Sequence, residues 1–352
     1  MKKLEKALIA VVIIAAVVGG SALIYTRDSS NNPTSGTNTI VDMEGRNIEV
    51  QKNVDSAVSI YPMATDIVYS LQAQDELTGI DSVSPNNEML QKIDPAISDK
   101  TKVGMPWDVN VETVLSLDPD VVLGGWGDVR QKIEDTGTPT LGFALNSFDN
   151  VMYANSMVGK CLNKKEKAES LNDYIEEEIE MIEEKTSQIS QSEKVRVQFI
   201  GRDTRLSAAV QGGFQDRMLE MAGAVNVAGD MTGDSWWTKV SIEQILNWNP
   251  EVIIVPAYCK DSAENIMNDP QWQNVKAVKE EQVYTMPRFT VSWDTPVPEA
   301  VLGLMWEAKL LYPDKFADLD MAQEVEEFSS TFYDLDLSDE EIDRILNNPR
   351  SI

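Results

Sequence analysis

The sequence predicts an α/β protein of two lobes, each with a mainly parallel sheet, joined by one long linker helix. Three observations carry that prediction. Short apolar runs alternate with amphipathic segments at close intervals, which is the pattern of parallel strands covered by helices. A phrase is written twice, as "VNVETVLSLDPDVVLGGW" (109–126) and "VSIEQILNWNPEVIIVPAY" (240–258). At a constant offset of 131 residues, Val111 matches Ile242, Glu112 matches Glu243, Leu115 matches Leu246, Pro119 matches Pro250, Asp120 matches Glu251 and Val121 matches Val252. Between the two copies, "LNKKEKAESLNDYIEEEIEMIEEKTSQIS" (162–190) contains neither Gly nor Pro and is rich in Glu, Lys, Leu and Ile. It reads as one long helix with a solvated face.

The elements follow in order. "TIVDMEGRNIEV" alternates around a Gly turn and reads as a hairpin, and "SAVSIYP" is a short buried strand stopped by Pro. "ATDIVYSLQAQ" has helical spacing and "ELTGIDS" is the next strand. In the first repeat "NVETVLSL" is a short helix, "DP" stops it and "DVVLGG" is a buried strand, with a further strand at "TPTLGF". After the linker, "KVRVQFIG" is a strand, "FQDRMLEMAGA" a helix, "VNVAGD" a loop with a short strand, and "SIEQILNW", "PEVIIVPAY" and "QVYTMP" a helix and two strands. From "TPVPEAVLGLMWEAKLLYP" onward the chain is helical. A second echo, "DIVYSLQAQDELTGID" against "QDRMLEMAGAVNVAGD", stands at offset 149, so loop lengths differ between the lobes. The organisation expected is an N-terminal lobe over 40–160, a linker over 161–191 and a C-terminal lobe over 192–352.

Composition narrows the function. A chain of 352 residues exceeds what one compact core usually holds. The net charge of −28 argues against nucleic acid, because binding a polyanion needs clustered Lys and Arg. The two cysteines, Cys161 and Cys259, form no CxxC pattern, and histidine is absent. That removes a Ser-His-Asp triad, a HExxH site and most first-row metal sites, and no cofactor is expected.

The N-terminus reads as an address. "MKKLEK" is basic, residues 7–24 carry no charge, and "YTRDSSNNPTSGTNT" is a polar tether. Residues 1–27 are either a cleaved signal peptide or a retained membrane anchor, with 28–39 as the tether. The anchor is the favoured reading, and no cysteine follows the span to take a lipid. Either way the rest of the chain works outside the cytoplasm.

Two lobes leave a cleft between them, and ligands of open α/β sheets sit beyond the carboxyl ends of the strands. The residues just past each expected strand are therefore the candidates. They are Tyr61, Trp107, Trp126, Arg202, Arg205, Trp236, Trp237, Arg288 and Trp293. Five of the eight Trp fall on loops at this edge, whereas Trp248, Trp272 and Trp306 read as core. Aromatic walls with a few Arg suit a bulky, flat or anionic ligand. Glu112 and Glu243 begin short helices, where a carboxylate suits the helix dipole. Their equivalence in the two lobes also suits docking onto a two-fold partner with basic sockets.

"DPDVVLGGW", "EMAGAVNVAGD", "SIEQILNWNPEVIIV", "QWQNVKAVKEEQVYTMP" and "WDTPVPEAVLGLMWEAKLLYPDKF", in this order and spacing, resemble the class III substrate-binding proteins of ABC importers for iron–siderophore, haem and cobalamin. The resemblance runs from about residue 40 to the end. It implies two Rossmann-like lobes on a stiff linking helix, with modest movement on binding. It also implies that Glu112 and Glu243 form salt bridges with arginines of an ABC permease dimer served by ATPase subunits. Trp107, Trp236 and Trp237 match positions where aromatic residues contact cobalamin, and Trp126 matches another cleft position. The main expectation is capture of a metal chelate. The alternative is molybdate or tungstate, which Arg202, Arg205 and Arg288 would suit. A surface hydrolase using Asp203, Asp234 and Asp294, or an anchored adhesion module, are the rivals of another class.

Overall fold

The computed structural model describes residues 36–233, 236–347 and 350. The uncharged span at 7–24 and the tether up to residue 35 lie outside them, as does Asp234. Among the described residues no helix is long and apolar enough to cross a membrane.

Strands β1 (Thr37–Val41) and β2 (Asn47–Gln51) form the expected antiparallel hairpin. Gly45 closes its turn at a positive φ of 77°. Asp42 pins the hairpin to the first lobe, accepting from the backbone N–H groups of Glu44, Arg46 and Gly142.

The first sheet takes β3 (Ala57–Ser59), β4 (Leu77–Asp81), β5 (Thr101–Gly104), β6 (Val121–Leu123) and β7 (Thr140–Leu141) in the order β5-β4-β3-β6-β7. Every pairing is parallel. In the second lobe β8 (Arg196–Phe199), β10 (Val225–Asn226), β12 (Val252–Val255) and β13 (Val283–Thr285) form a parallel sheet in the order β10-β8-β12-β13. Beside it β9 (Ser207–Ala209) and β11 (Trp237–Lys239) pair antiparallel. The chain winds outward in one direction from β3 and then in the other from β6, and it does the same from β8 and β12. The topological switch points therefore lie between β3 and β6 in the first sheet and between β8 and β12 in the second, where β6 and β12 are the strands of the repeat.

The repeat is physical as well as textual. Its helices, Val111–Ser116 and Ile242–Trp248, are capped by Asn110 and Ser241, whose side chains accept from the N–H of Thr113 and Gln244. Each buries one apolar residue fully, Val114 or Ile245. Each segment then passes through a left-handed residue, Asp118 or Asn249, both at φ 47°. Asp120 and Glu251 come next, and each clamps the neighbouring parallel strand. Asp120 N–H donates to Ser56 C=O and its carboxylate accepts from Ser56 N–H. Glu251 N–H donates to Arg196 C=O and its carboxylate accepts from Arg196 N–H.

The linker helix spans Lys165–Thr186, shorter than the expected 162–190. Asn163, at φ 57°, separates it from the preceding helix Phe148–Cys161. Ala168, Leu171, Ile175 and Ile182 form its buried stripe. They join one apolar cluster that runs from Ile67 in the first lobe through Phe199 in the second to Val301 and Phe328. The chain ends in helices Ala300–Leu311, Met321–Tyr333 and Asp339–Asn347. The last two, which the sequence groups with the second lobe, cross back to the first. Gln72 donates to Thr331 C=O, and Lys92 pairs with Glu341 at 2.5 Å.

Candidate ligand cleft

At the first switch point β6 runs into Gly124–Gly125–Trp126–Gly127, whose glycines have φ of 100°, 110° and 53°. A Cβ at Gly124 would lie 2.8 Å from the Tyr61 Cβ, so glycine alone lets the turn fold over Tyr61. The turn sets the Trp126 ring edge-on to Tyr61, with centroids 4.9 Å apart and planes at 84°. Phe143 backs Tyr61 at 6.1 Å. The Tyr61 hydroxyl donates to the Met63 sulfur at 2.7 Å, and burial pushes its pKa above the ordinary phenol value. Trp107 lies between β5 and the first repeat helix and is 73% exposed. A ring left so bare has no core role to explain it.

At the second switch point β8 leads to Gly201 and the exposed Arg202. A Cβ at Gly201 would come within 3.1 Å of the Trp237 ring. Trp237 opens β11, a strand where the sequence suggested a loop, and its ring lies 6.2 Å from Phe199. Trp236 accepts the Val210 N–H on its carbonyl and packs over Gly213. Both rings are half-buried. Arg288, which follows β13, is half-buried, and its Nε–H is buried with no partner among the described residues.

Two of the expected contacts are corrected. Arg205 is bound to Asp261 at 2.9 Å and to Asp269 at 2.6 Å, and its backbone N–H also donates to Asp261. It clamps two loops of the second lobe and is not available to a ligand. Arg205→Met should lower the chemical-denaturation midpoint and leave ligand affinity unchanged. Trp293 has 0% exposure. Its backbone and Cβ pack on Gly303, where an added Cβ would fall 2.6 Å from the Trp293 carbonyl oxygen. It belongs to the core, with Trp272, which is 1% exposed. Trp248 and Trp306, expected in the core, are half-buried and pack against its edge.

Sequence reasoning misses Tyr258, although it lies three residues past "VIIV" of β12 and obeys the rule that found the others. It is 40% exposed, yet its hydroxyl is directed inward and donates to Asp294 Oδ2 at 2.5 Å. Asp294 is fully buried and accepts in addition from Ser292 Oγ at 2.6 Å and Gln215 Nε2 at 3.2 Å. Burial raises its pKa, while Ser292, Tyr258 and Gln215 draw it back. Asp294 therefore orients Tyr258, and exposed Asp203 faces Lys260 at 3.8 Å. No group of three or more His, Cys, Asp or Glu among the described residues can hold a metal ion, and Cys161 and Cys259 are free and buried.

A hollow of about 430 Å³ lies between helix Phe148–Cys161, the linker and helix Phe214–Met221, with Asp149, Glu176, Glu180, Glu183 and Glu220 among its lining. The aromatic and cationic groups instead follow strands of the two sheets. Glu112 and Glu243 are both exposed, each at the second position of its capped helix. The Glu243 carboxyl lies below the usual range because its own backbone N–H and the Ser241 hydroxyl bond to it.

Two parallel-sheet lobes on a single helix, with aromatic and cationic side chains past the strands of both sheets, define a solute-binding protein. Residues 58–289 match the model of the periplasmic binding protein family, and the chain belongs to that family, the solute-capturing components of ABC importers. It is 26% identical over 322 residues to the molybdate-binding protein MolA of Haemophilus influenzae, covering 84% of this chain and 90% of that protein. It is 23% identical to the high-affinity haem uptake system protein IsdE of Staphylococcus aureus, covering 62% and 76%. A periplasmic solute binding protein from Veillonella parvula superposes with a TM-score of 0.80 at 28% identity, over 89% of this chain and 97% of that one. MolA bound to molybdate superposes with a TM-score of 0.77 at 25% identity, over 86% and 99%.

Proposed function

We propose that this protein captures a tetrahedral oxyanion of the molybdate and tungstate type outside the cytoplasm and hands it to an ABC permease. The observation that carries this reading is the pair of cations past the carboxyl ends of the second sheet, exposed Arg202 and Arg288 with its unsatisfied buried Nε–H. Charge-assisted donors in fixed directions suit an oxyanion. A histidine-free cleft does not suit a bare transition-metal cation. The extensive match to MolA points the same way. The test is isothermal titration with molybdate. Arg288→Gln and Arg202→Gln should each weaken binding about 10- to 100-fold, the loss of a hydrogen bond to a charged group. Trp107→Ala should leave it unchanged.

Capture of an iron–siderophore, haem or corrinoid chelate is the second reading, favoured by bare Trp107 and by the Tyr61–Trp126 pair. Haemin or a ferric siderophore that binds with an affinity sensitive to Trp107→Ala, with no response to molybdate, would replace the first reading by the second. Residues 7–24 would keep the protein at the membrane, and Glu112 and Glu243 would meet the permease dimer.

A further inference from the structure

Between β13 and helix Ala300–Leu311 the chain forms an irregular strap that reaches from the second lobe to the first. It starts where Met286 N–H donates to Val255 C=O, and it doubles back through a bridge between Arg288 and Ser292. At the tip is Thr290, fully buried. Its hydroxyl donates to Asp66 Oδ2 on the first-lobe helix Pro62–Ser70. Its carbonyl accepts from Asn87 Nδ2, the cap of helix Glu88–Ile93, at 2.5 Å. Its N–H donates to Glu299 Oε2 at 3.1 Å, and Val291 N–H donates to Glu299 Oε1 at 2.6 Å. Tyr333 on helix Met321–Tyr333 donates to the other oxygen of Asp66 at 3.1 Å.

We propose that Asp66, Thr290 and Glu299 are positioning residues for the ligand cleft, a latch across the lobe boundary that fixes the strap and so places Arg288 on one limb and Asp294, the holder of Tyr258, on the other. For Arg288 the inference rests on the oxyanion reading above. Both carboxylates are fully buried, and Asp66 is the charged group that most disturbs Glu299. The titratable group facing them from the C-terminal helix is Tyr333, and neither carboxylate forms an ion pair among the described residues. Two like charges in a dry site cannot both ionise cheaply, so the pair retains a proton near neutral pH. Burial pushes Asp66 up to about 6 and raises Glu299 well above the ordinary carboxyl range. Raised carboxyl pKa values mean that the folded chain holds a proton the unfolded chain has released. The stability this supplies is complete below about pH 4 and is lost as pH rises through about 6 and beyond.

The test uses full-length protein with molybdate titrations at pH 7 and melting temperatures of the ligand-free protein from pH 5 to 8. Thr290→Val keeps the shape and removes the hydroxyl, whereas Thr290→Ser restores it. Thr290→Val should bind molybdate about tenfold more weakly, and Thr290→Ser should bind like the parent. The parent melting temperature should fall as pH rises over this range, and Asp66→Asn should flatten that slope. Unchanged molybdate affinity in Thr290→Val, or a parental slope in Asp66→Asn, overturns the latch. If Arg288→Gln binds molybdate normally, the oxyanion reading fails instead. The latch is then decided by the ligand-free slope, which supports it if flattened in Asp66→Asn and overturns it if unchanged.

Discussion

Trp293→Ala should destabilise the folded protein by about 3–5 kcal/mol, a loss set by a large ring deleted from a core that cannot close over the gap. The residue has 0% exposure, and its backbone and Cβ pack against helix Ala300–Leu311 at Gly303. The same contact can be spoiled from the other side. A Cβ at Gly303 would lie 2.6 Å from the Trp293 carbonyl oxygen and 2.8 Å from its Cβ, so Gly303→Ala should cost about 1–3 kcal/mol through overpacking. Trp107→Ala is the contrast, because a ring that is 73% exposed leaves no cavity, and its loss should change stability by less than about 0.5 kcal/mol. Urea denaturation midpoints of the three variants separate the cases. A Trp293→Ala protein as stable as the parent would show that the ring belongs to the ligand site after all.

Trp293 and Trp107 also show what the sequence could and could not tell. Both follow turn-rich stretches, and no local pattern distinguishes them. Trp293 joins the core cluster, and its backbone and Cβ meet Gly303, a contact made only when helix Ala300–Leu311 folds onto the lobe. Arg202 and Arg205 pose the same problem three residues apart. Arg205 is consumed by Asp261 and Asp269, carboxylates brought near by the loop after β12 rather than by sequence proximity. The pair of β9 and β11 was also invisible, since each strand has three residues and their register comes from long-range pairing. The repeat, by contrast, was legible because its signals are local. A capping side chain, an inward apolar residue, a left-handed turn residue, a proline and an acidic clamp recur at the same spacing, and each forces its own step of backbone. Tyr258 could have been found by that same logic, since it occupies the place after β12 that Gly127 occupies after β6.

Reversing both repeat charges, Glu112→Arg with Glu243→Arg, should stop delivery of ligand to the permease and leave capture untouched. Neither side chain lies at a strand end where ligand would sit. Each stands exposed on the first turn of a short helix, and the two helices share cap, burial and exit geometry. A surface built twice in this way offers two equivalent carboxylates, which fits a partner that is itself two-fold. Losing a carboxylate from a helix N-terminus weakens a small dipole interaction only, so the variant should melt close to the parent and its failure could not be assigned to unfolding. At the interface the effect is much larger, because a reversed charge faces a like charge instead of its partner. Each single reversal should weaken association about tenfold, and additive effects of the two would combine to about 100-fold. The measurement is molybdate uptake into vesicles bearing the permease and its ATPase subunits, beside a titration of the same protein preparation. Normal uptake by the double variant would sink the docking role. Lost uptake with lost ligand affinity would place the glutamates in the cleft. Lost uptake with parental affinity separates capture from delivery, and restoration by the opposite charge reversal in the permease would identify the facing arginines.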